Sequence, residues 1–187
     1  RQAAKDRPPV NGAATKVIMD IMSLVFMTSV AFGQATATMV GQSLGAGKPD
    51  LAEQYGWESL RIGGYFMTLV GLVICLFPNT IAGWFNPDPE VIATAKNSLQ
   101  LMAMSAAFLA TGMILAQALF GAGSTVYVMV VEGVLHFTCL IPMAYVFGIW
   151  MDGGLLGIWA SAFLYAVLLT GVMAHRFAGG KWKAIKL

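Results

Sequence analysis

The chain has 187 residues, 58% of them hydrophobic and only 11% charged, and its mean hydropathy is +0.72. A soluble domain carries about 25% charged residues, so this composition excludes a water-soluble globule. The net charge of +2, with no cluster of Lys and Arg inside the chain, excludes a broad basic surface for nucleic acid. Residues 21–47, 62–85, 97–131, 133–151 and 153–174 hold no Asp, Glu, Lys or Arg. Each stretch reaches or approaches the roughly 20 apolar residues that cross a bilayer core as a helix. The predicted fold is an all-α integral membrane protein, a polytopic bundle of five transmembrane helices. Its function is to be sought in transport, gating or membrane assembly.

In chain order, residues 1–15 read as a polar N-terminal segment, with Pro8, Pro9, Asn11 and Gly12. The bundle follows over 16–176. Its first predicted span is 17–44, ended by the glycines and proline of Gly45–Asp50, which are helix-stop signals. A short amphipathic stretch leads to the second span, 62–85, with Pro78 near its end. A loop with Asn86, Pro87, Asp88 and Pro89 precedes the third span, 99–120. Gly121–Thr125 turns the chain into the fourth span, 126–150, and Asp152-Gly153-Gly154 into the fifth, 155–174. Residues 177–187 form a basic tail. The chain opens on Arg1 and no signal-peptide pattern precedes the first span, so it reads as a fragment without its natural N-terminus.

Short connections predict antiparallel neighbours. Small residues recur four apart at Ala31/Ala35, Ala103/Ala107, Gly112/Ala116, Gly153/Gly157 and Ala162/Ala166. This spacing lets helix backbones approach closely in lipid. Cys75 and Cys139 lie deep in apolar runs and read as small core hydrophobes. With the C-terminus inside, the inner segments carry Lys48, Arg61, Arg176, Lys181, Lys183 and Lys186. The outer ones carry Arg1, Lys5, Arg7, Lys16 and Lys96, four of them in the first segment. The positive-inside rule then favours a cytoplasmic C-terminus.

Polar groups inside a bilayer are costly unless satisfied, so each is a candidate functional residue. Asp20, Gln34, Thr38 and Gln42 fall within about 120° of one another on a helical wheel. They form one polar stripe, either the wall of a water-filled or substrate cavity or a set of helix–helix hydrogen bonds. Asp20 lies near a helix end, where headgroup level is equally open to it. Glu132 stands alone between the uncharged stretches 97–131 and 133–151, with His136 one turn later on the same face. A carboxylate and an imidazole so spaced can share a proton or bind a cation; an interfacial Glu with a separately satisfied His is the alternative. The sequence holds no phosphate-binding Gly-x-x-x-x-Gly-Lys-Ser/Thr loop and no His-Glu-x-x-His zinc motif. Neither a catalytic residue nor a metal ligand is predicted, and the Gly-Ala-Gly runs at 45–47 and 121–123 read as turns.

Three segments together resemble the multidrug and toxic compound extrusion (MATE) family of transporters. They are ATATMVGQSLGAGKPDLA over 35–52, FNPDPEVIATAKNSL over 85–99, and ALFGAGST over 118–125, where Ser124 replaces the family's Asp. The resemblance implies helices two to six of one lobe, the C-terminal one, of a twelve-helix transporter with two six-helix lobes around a cleft. It implies Na⁺- or H⁺-coupled antiport of organic cations or amphipathic drugs across the cytoplasmic membrane by alternating access. The coupling ion takes the place of a cofactor, and the partners are the bilayer and the missing N-terminal lobe. Some members carry a coupling carboxylate where this chain has Leu109, so no cation ligand carries over; Glu132, His136 and Asp20 are the candidate coupling residues and Gln34, Thr38 and Gln42 the candidate cavity lining. Gln42, Gly45 and Gly47 match the family motif as a helix-end turn. The alternatives are a lipid-linked oligosaccharide flippase of the same broad superfamily, against which the absence of Lys and Arg from the spans argues, and an inactive truncated fragment.

Overall fold

A computed structural model describes residues 10–184. Five long apolar helical stretches run back and forth across it. The first helix, α1 (Val10–Gly45), already contains residues 10–15, which the loop reading of 1–15 leaves outside it. Asn11 and Gly12 are tolerated in its opening turn, where Thr15 Oγ1 donates to the Asn11 carbonyl and Ala14 is fully buried. At 36 residues α1 spans about 54 Å, well beyond the ~30 Å hydrocarbon core. One end therefore projects to or past the headgroups. Its buried residues, Ala14, Ile18, Ile21, Val25, Ser29, Gly33, Thr36 and Val40, follow one helical stripe.

Both Gly-Ala-Gly runs are helix caps. After α1, Gly47 takes φ +71° while its N–H donates to Leu44 O and the Lys48 N–H donates to Ser43 O. After α4 (Pro89–Gly121), Gly123 takes φ +77° with the equivalent pair, Gly123 N–H to Phe120 O and Ser124 N–H to Leu119 O. This is the Schellman arrangement, which satisfies the last carbonyls of a helix and favours glycine at its left-handed residue.

The second predicted span is broken into α2 (Pro49–Leu76) and α3 (Pro78–Phe85). Pro78 supplies no N–H, and the residue before a proline is steered away from helix, so Phe77 opens to φ −122° and the chain restarts. The amphipathic stretch before residue 62 is continuous with α2. Prolines occupy the first helical position of α2, α3 and α4, where a missing N–H costs nothing. Asp88 caps α4 by accepting from the Glu90 N–H, and Asn86 Oδ1 accepts from Asp88 N–H.

Residues 125–150 form one helix of uneven winding. It comprises α5 (Thr125–Leu135), a π-helical turn (His136–Leu140), α6 (Ile141–Tyr145) and a second π turn (Val146–Trp150). Helix α7 (Gly154–Ala178) and a 3₁₀ turn (Lys181–Ala184) complete the described chain.

Helix α4 is the hub and packs against α1, α2, α3, α5 and α7. Of its most apolar window 56% is buried, against 11% for the 125–150 helix. That outer helix shows Val126, Met129, Val130, Val134, Phe137 and Ile141 on its outward face, the surface expected against lipid. Helices α1 and α4 touch backbone to backbone, since a Cβ on Gly121 would lie 2.2 Å from the Ala37 carbonyl oxygen. Of the small-residue pairs, Gly112/Ala116 is buried in the hub, whereas Ala31/Ala35 lies on the exposed face of α1.

The end of the bundle where α2 begins is closed by the chain's tail. Phe177 and Trp182 are fully buried and stacked at 4.8 Å, and Trp57 meets Phe177 edge-on at 5.4 Å. Lys183 pairs with Asp50 at 3.2 Å and with Glu53. Part of the segment read as a basic cytoplasmic tail is thus packed structure; residues 185–187 lie outside the described residues.

Candidate functional site

Within the bundle, α1, α4, α7 and the 125–150 helix enclose a cavity of about 290 Å³. Met22 and Phe26 face it from α1; Ser105, Leu109 and Met113 from α4; Glu132, His136 and Leu140 from the outer helix; Trp159, Ala162, Tyr165, Ala166 and Leu169 from α7. Glu132 and His136 share this cavity because they stand one turn apart on one face. His136 also marks the start of a π turn, a feature that appears frequently at functional sites.

The imidazole is held from two sides. His136 Nδ1 lies 2.9 Å from the Glu132 backbone carbonyl and 3.1 Å from the Tyr165 hydroxyl, with the two rings edge to face at 4.7 Å. It is therefore the peptide carbonyl of Glu132, and not its carboxylate, that holds this nitrogen. Ser105 Oγ donates to the Met102 carbonyl. Trp159 is buried, and its Nε1–H finds no hydrogen-bond partner among the described residues. Sequence reasoning missed Tyr165 and Trp159. The available signal was the α7 series Trp159, Ala162, Tyr165, Ala166, Leu169, a single helical face with two polar-tipped aromatics.

The other candidates lie elsewhere. Asp20 lines a separate, more polar pocket of about 320 Å³ at the bundle end, with Lys16 and Asn86. Gln34, Thr38 and Gln42 are exposed along α1, and the Thr38 hydroxyl donates to the Gln34 carbonyl. On the α1 wheel this stripe lies about 140° from Met22 and Phe26, so it points out of the bundle and does not join Glu132. A larger groove of about 460 Å³ between α1, α2 and α3 is lined by apolar residues and Thr28 and holds no ionisable group. Among the described residues no three His, Cys, Asp or Glu side chains gather as a metal-binding group.

A bundle of five helices, each long and apolar enough to cross a bilayer, is the fold of a multi-pass membrane protein. The chain belongs to the MatE family, whose model matches residues 7–146. Over 171 residues it is 26% identical to the probable multidrug resistance protein NorM of Thermotoga maritima, covering 91% of this chain and 37% of that protein. Over 98 residues it is 37% identical to the multidrug resistance protein NorM of Burkholderia vietnamiensis, covering 51% of this chain and 21% of that one. The chain thus spans little more than a third of the length of such relatives. The fold matches a crystal structure of a MATE protein in the bent conformation with a TM-score of 0.83 at 15% identity, over 90% of this chain and 37% of the other. It also matches a MOP superfamily transporter from Pyrococcus furiosus with a TM-score of 0.82 at 15% identity.

Proposed function

We propose that this chain is the C-terminal lobe portion of a cation-coupled antiporter that exports drugs or other organic cations across the cytoplasmic membrane by alternating access. The observation that carries the reading is the family match to multidrug resistance proteins, joined to an intramembrane cavity containing Glu132 and His136. The resemblance implies a coupling acid at the position of Leu109 in some members. Leu109 lines the same cavity as Glu132, which supports Glu132 as the carboxylate that answers the ion from the neighbouring helix. Asp20, at the bundle end, is the weaker candidate.

In this reading Gln34, Thr38 and Gln42 line the cleft between the lobes. Their exposure on the outer face of α1, beside the small Ala31 and Ala35, supports that role. Glutamine amides facing lipid would be costly, whereas a cleft offers water and substrate. Ion and drug compete through the facing equilibrium, each shifting it only by its differential affinity for the two states. The C-terminus lies in the cytoplasm.

The test is efflux of ethidium or norfloxacin from cells expressing the full-length parent gene, with Na⁺ and pH varied separately. Efflux that follows one ion gradient supports the exporter. No efflux under any gradient, despite good membrane expression, refutes it. Unchanged coupling in Glu132→Gln removes Glu132 from the mechanism.

A further inference from the structure

Two cavities away from Glu132 meet at one residue. The apolar groove of about 460 Å³ between α1, α2 and α3 and the polar pocket of about 320 Å³ at the bundle end both have Phe85 in their wall. On α1 the pocket residues Lys16, Val17 and Asp20 are followed at once by the groove residues Ile21, Leu24, Val25 and Thr28. An apolar trough thus opens, at its α3 end, into a small pocket that carries charge.

The trough has the length of an acyl chain and not of a helix. Its floor is buried, at Ile21, Val25, Met67 and Ile74, while Leu24, Leu69 and Val73 form an exposed rim. From Ile21 to Thr28 it runs about 10 Å along α1. The rings of Phe32 and Phe66, with centroids 5.7 Å apart, lie at its deep end. A length of about 10 Å fits within one leaflet's half of the ~30 Å hydrocarbon core, whereas a membrane-crossing segment needs the whole of it. The Thr28 hydroxyl is already donating to the Leu24 carbonyl at 2.8 Å. Trp84, on α3 beside Phe85, is 78% exposed, and its indole is suited to the headgroup level.

The pocket carries both signs of charge. Lys16 and Asp20 stand one helical turn apart, and among the described residues no ion pair joins them. Asn86 Oδ1 accepts from the Asp88 N–H, which leaves its amide N–H groups to donate elsewhere. Two donors, Lys16 and Asn86, therefore suit a phosphate, and one carboxylate, Asp20, suits an ammonium. A headgroup with a phosphate alone would set its negative charge beside Asp20. A quaternary ammonium offers the carboxylate no N–H. An ethanolamine phosphodiester supplies both the anion and a hydrogen-bonding cation.

We infer that this composite site holds one phospholipid with a primary-amine headgroup, phosphatidylethanolamine. An acyl chain lies in the trough, the phosphate meets Lys16 and Asn86, and the ammonium meets Asp20. A lipid seated there sets the spacing between α1 and the α2–α3 pair. The inference concerns the lipid and does not depend on what the protein exports.

Two measurements on the purified full-length protein test it. Native mass spectrometry compares retention of phosphatidylethanolamine, phosphatidylcholine and phosphatidylglycerol with identical acyl chains. Phosphatidylethanolamine is expected to be retained best. Lys16→Ala should weaken all three, by about tenfold for loss of one charged hydrogen bond. Asp20→Asn should weaken phosphatidylethanolamine and strengthen phosphatidylglycerol, whereas a merely structural Asp20 would lower all three alike. Equal retention of the three lipids, or selectivity unchanged in Asp20→Asn, overturns the site. The second measurement uses the wild-type protein and so stands even where a variant fails to fold. Phosphatidylethanolamine with a photoreactive acyl chain is expected to label residues 21–28 and 66–74. Labelling confined to other faces, or no labelling because another segment of the full-length protein fills the trough, overturns the inference.

Discussion

Trp182 lies outside every uncharged stretch, four residues past the end of α7, yet it is fully buried. Its ring stacks on Phe177 at 4.8 Å with an interplanar angle of 16°, and its Nε1–H donates to the Phe177 carbonyl at 2.7 Å. Truncating a fully buried Trp to Ala costs about 3–5 kcal/mol. Trp182→Phe keeps an aromatic stack and loses the hydrogen bond, for a cost of about 1 kcal/mol with a smaller packing term added. Lys183→Ala, one residue on, removes two ion pairs, one to Asp50, which is 95% exposed, and one to Glu53; pairs at the surface contribute about 0–1 kcal/mol each. The expected order of thermal stability is wild type, then Lys183→Ala close beside it, then Trp182→Phe, with Trp182→Ala well below. The assay heats the full-length protein in detergent and follows the monodisperse fraction by size exclusion. A Trp182→Ala midpoint no lower than that of Lys183→Ala would refute the argument that the tail closes this end of the bundle.

Gly121→Ala places a methyl 2.2 Å from the Ala37 carbonyl oxygen, so α1 and α4 must separate at an overpacking cost of about 1–3 kcal/mol or more; reduced membrane yield and a lowered melting midpoint are the expected readouts. A reporter fused after Leu187 is expected to fold only when its domain matures in the cytoplasm; a periplasm-active reporter at that position would reverse the orientation. The Lys183 ammonium is held above its ordinary 10.5, first by its hydrogen bond to Glu53. Its contribution is therefore complete below 10.5 and is lost as pH rises through the elevated folded value. Accordingly, the difference in melting midpoint between wild type and Lys183→Ala should be constant near neutrality and shrink in strong alkali, and also in acid, where the Glu53 carboxylate, held below its ordinary value first by its hydrogen bond with Lys183, is protonated.

What could be read from the sequence follows from which forces are local. Five uncharged stretches gave five apolar helices because length and the absence of charge are enough to define a span. The Gly-Ala-Gly caps were legible too, since a left-handed residue after a helix is a local demand met by Gly47 and Gly123. Pro78 was visible, but not that Phe77 would open far enough to divide the span, because that depends on what packs around it. The pairing of Glu132 with His136 followed from one turn of helix. The addition of Tyr165 and Trp159 did not, because 23 to 33 residues separate them from Glu132 and His136 and α7 has apolar residues on several faces. The stripe Asp20, Gln34, Thr38, Gln42 shares one exposed face as the wheel requires, yet periodicity says only that the face exists and not what lies opposite it.

That outward stripe gives α1 a particular place in the proposed mechanism. Met22 and Phe26 look into the Glu132 cavity, while Gln34, Thr38 and Gln42 look away from the bundle on the same unbroken helix. A rigid helix that touches both sites transmits a change at one to the other without a chain of side-chain contacts, provided it has two positions. In this reading, neutralising Glu132 with its coupling ion lets the cavity pack more closely, which draws on α1 through Met22 and Phe26. The consequence is measurable on the far face. With Cys75 and Cys139 replaced by alanine in the full-length protein, a Gln34→Cys variant is labelled with a membrane-impermeant maleimide across a range of pH. Thiolate formation alone raises the rate with pH, so the informative quantity is the ratio of rates between the Glu132-containing protein and the same protein carrying Glu132→Gln. That ratio is expected to change with pH, since only the first protein can switch. A ratio flat across the titration would show that the Glu132 cavity and the outer stripe are not coupled through α1.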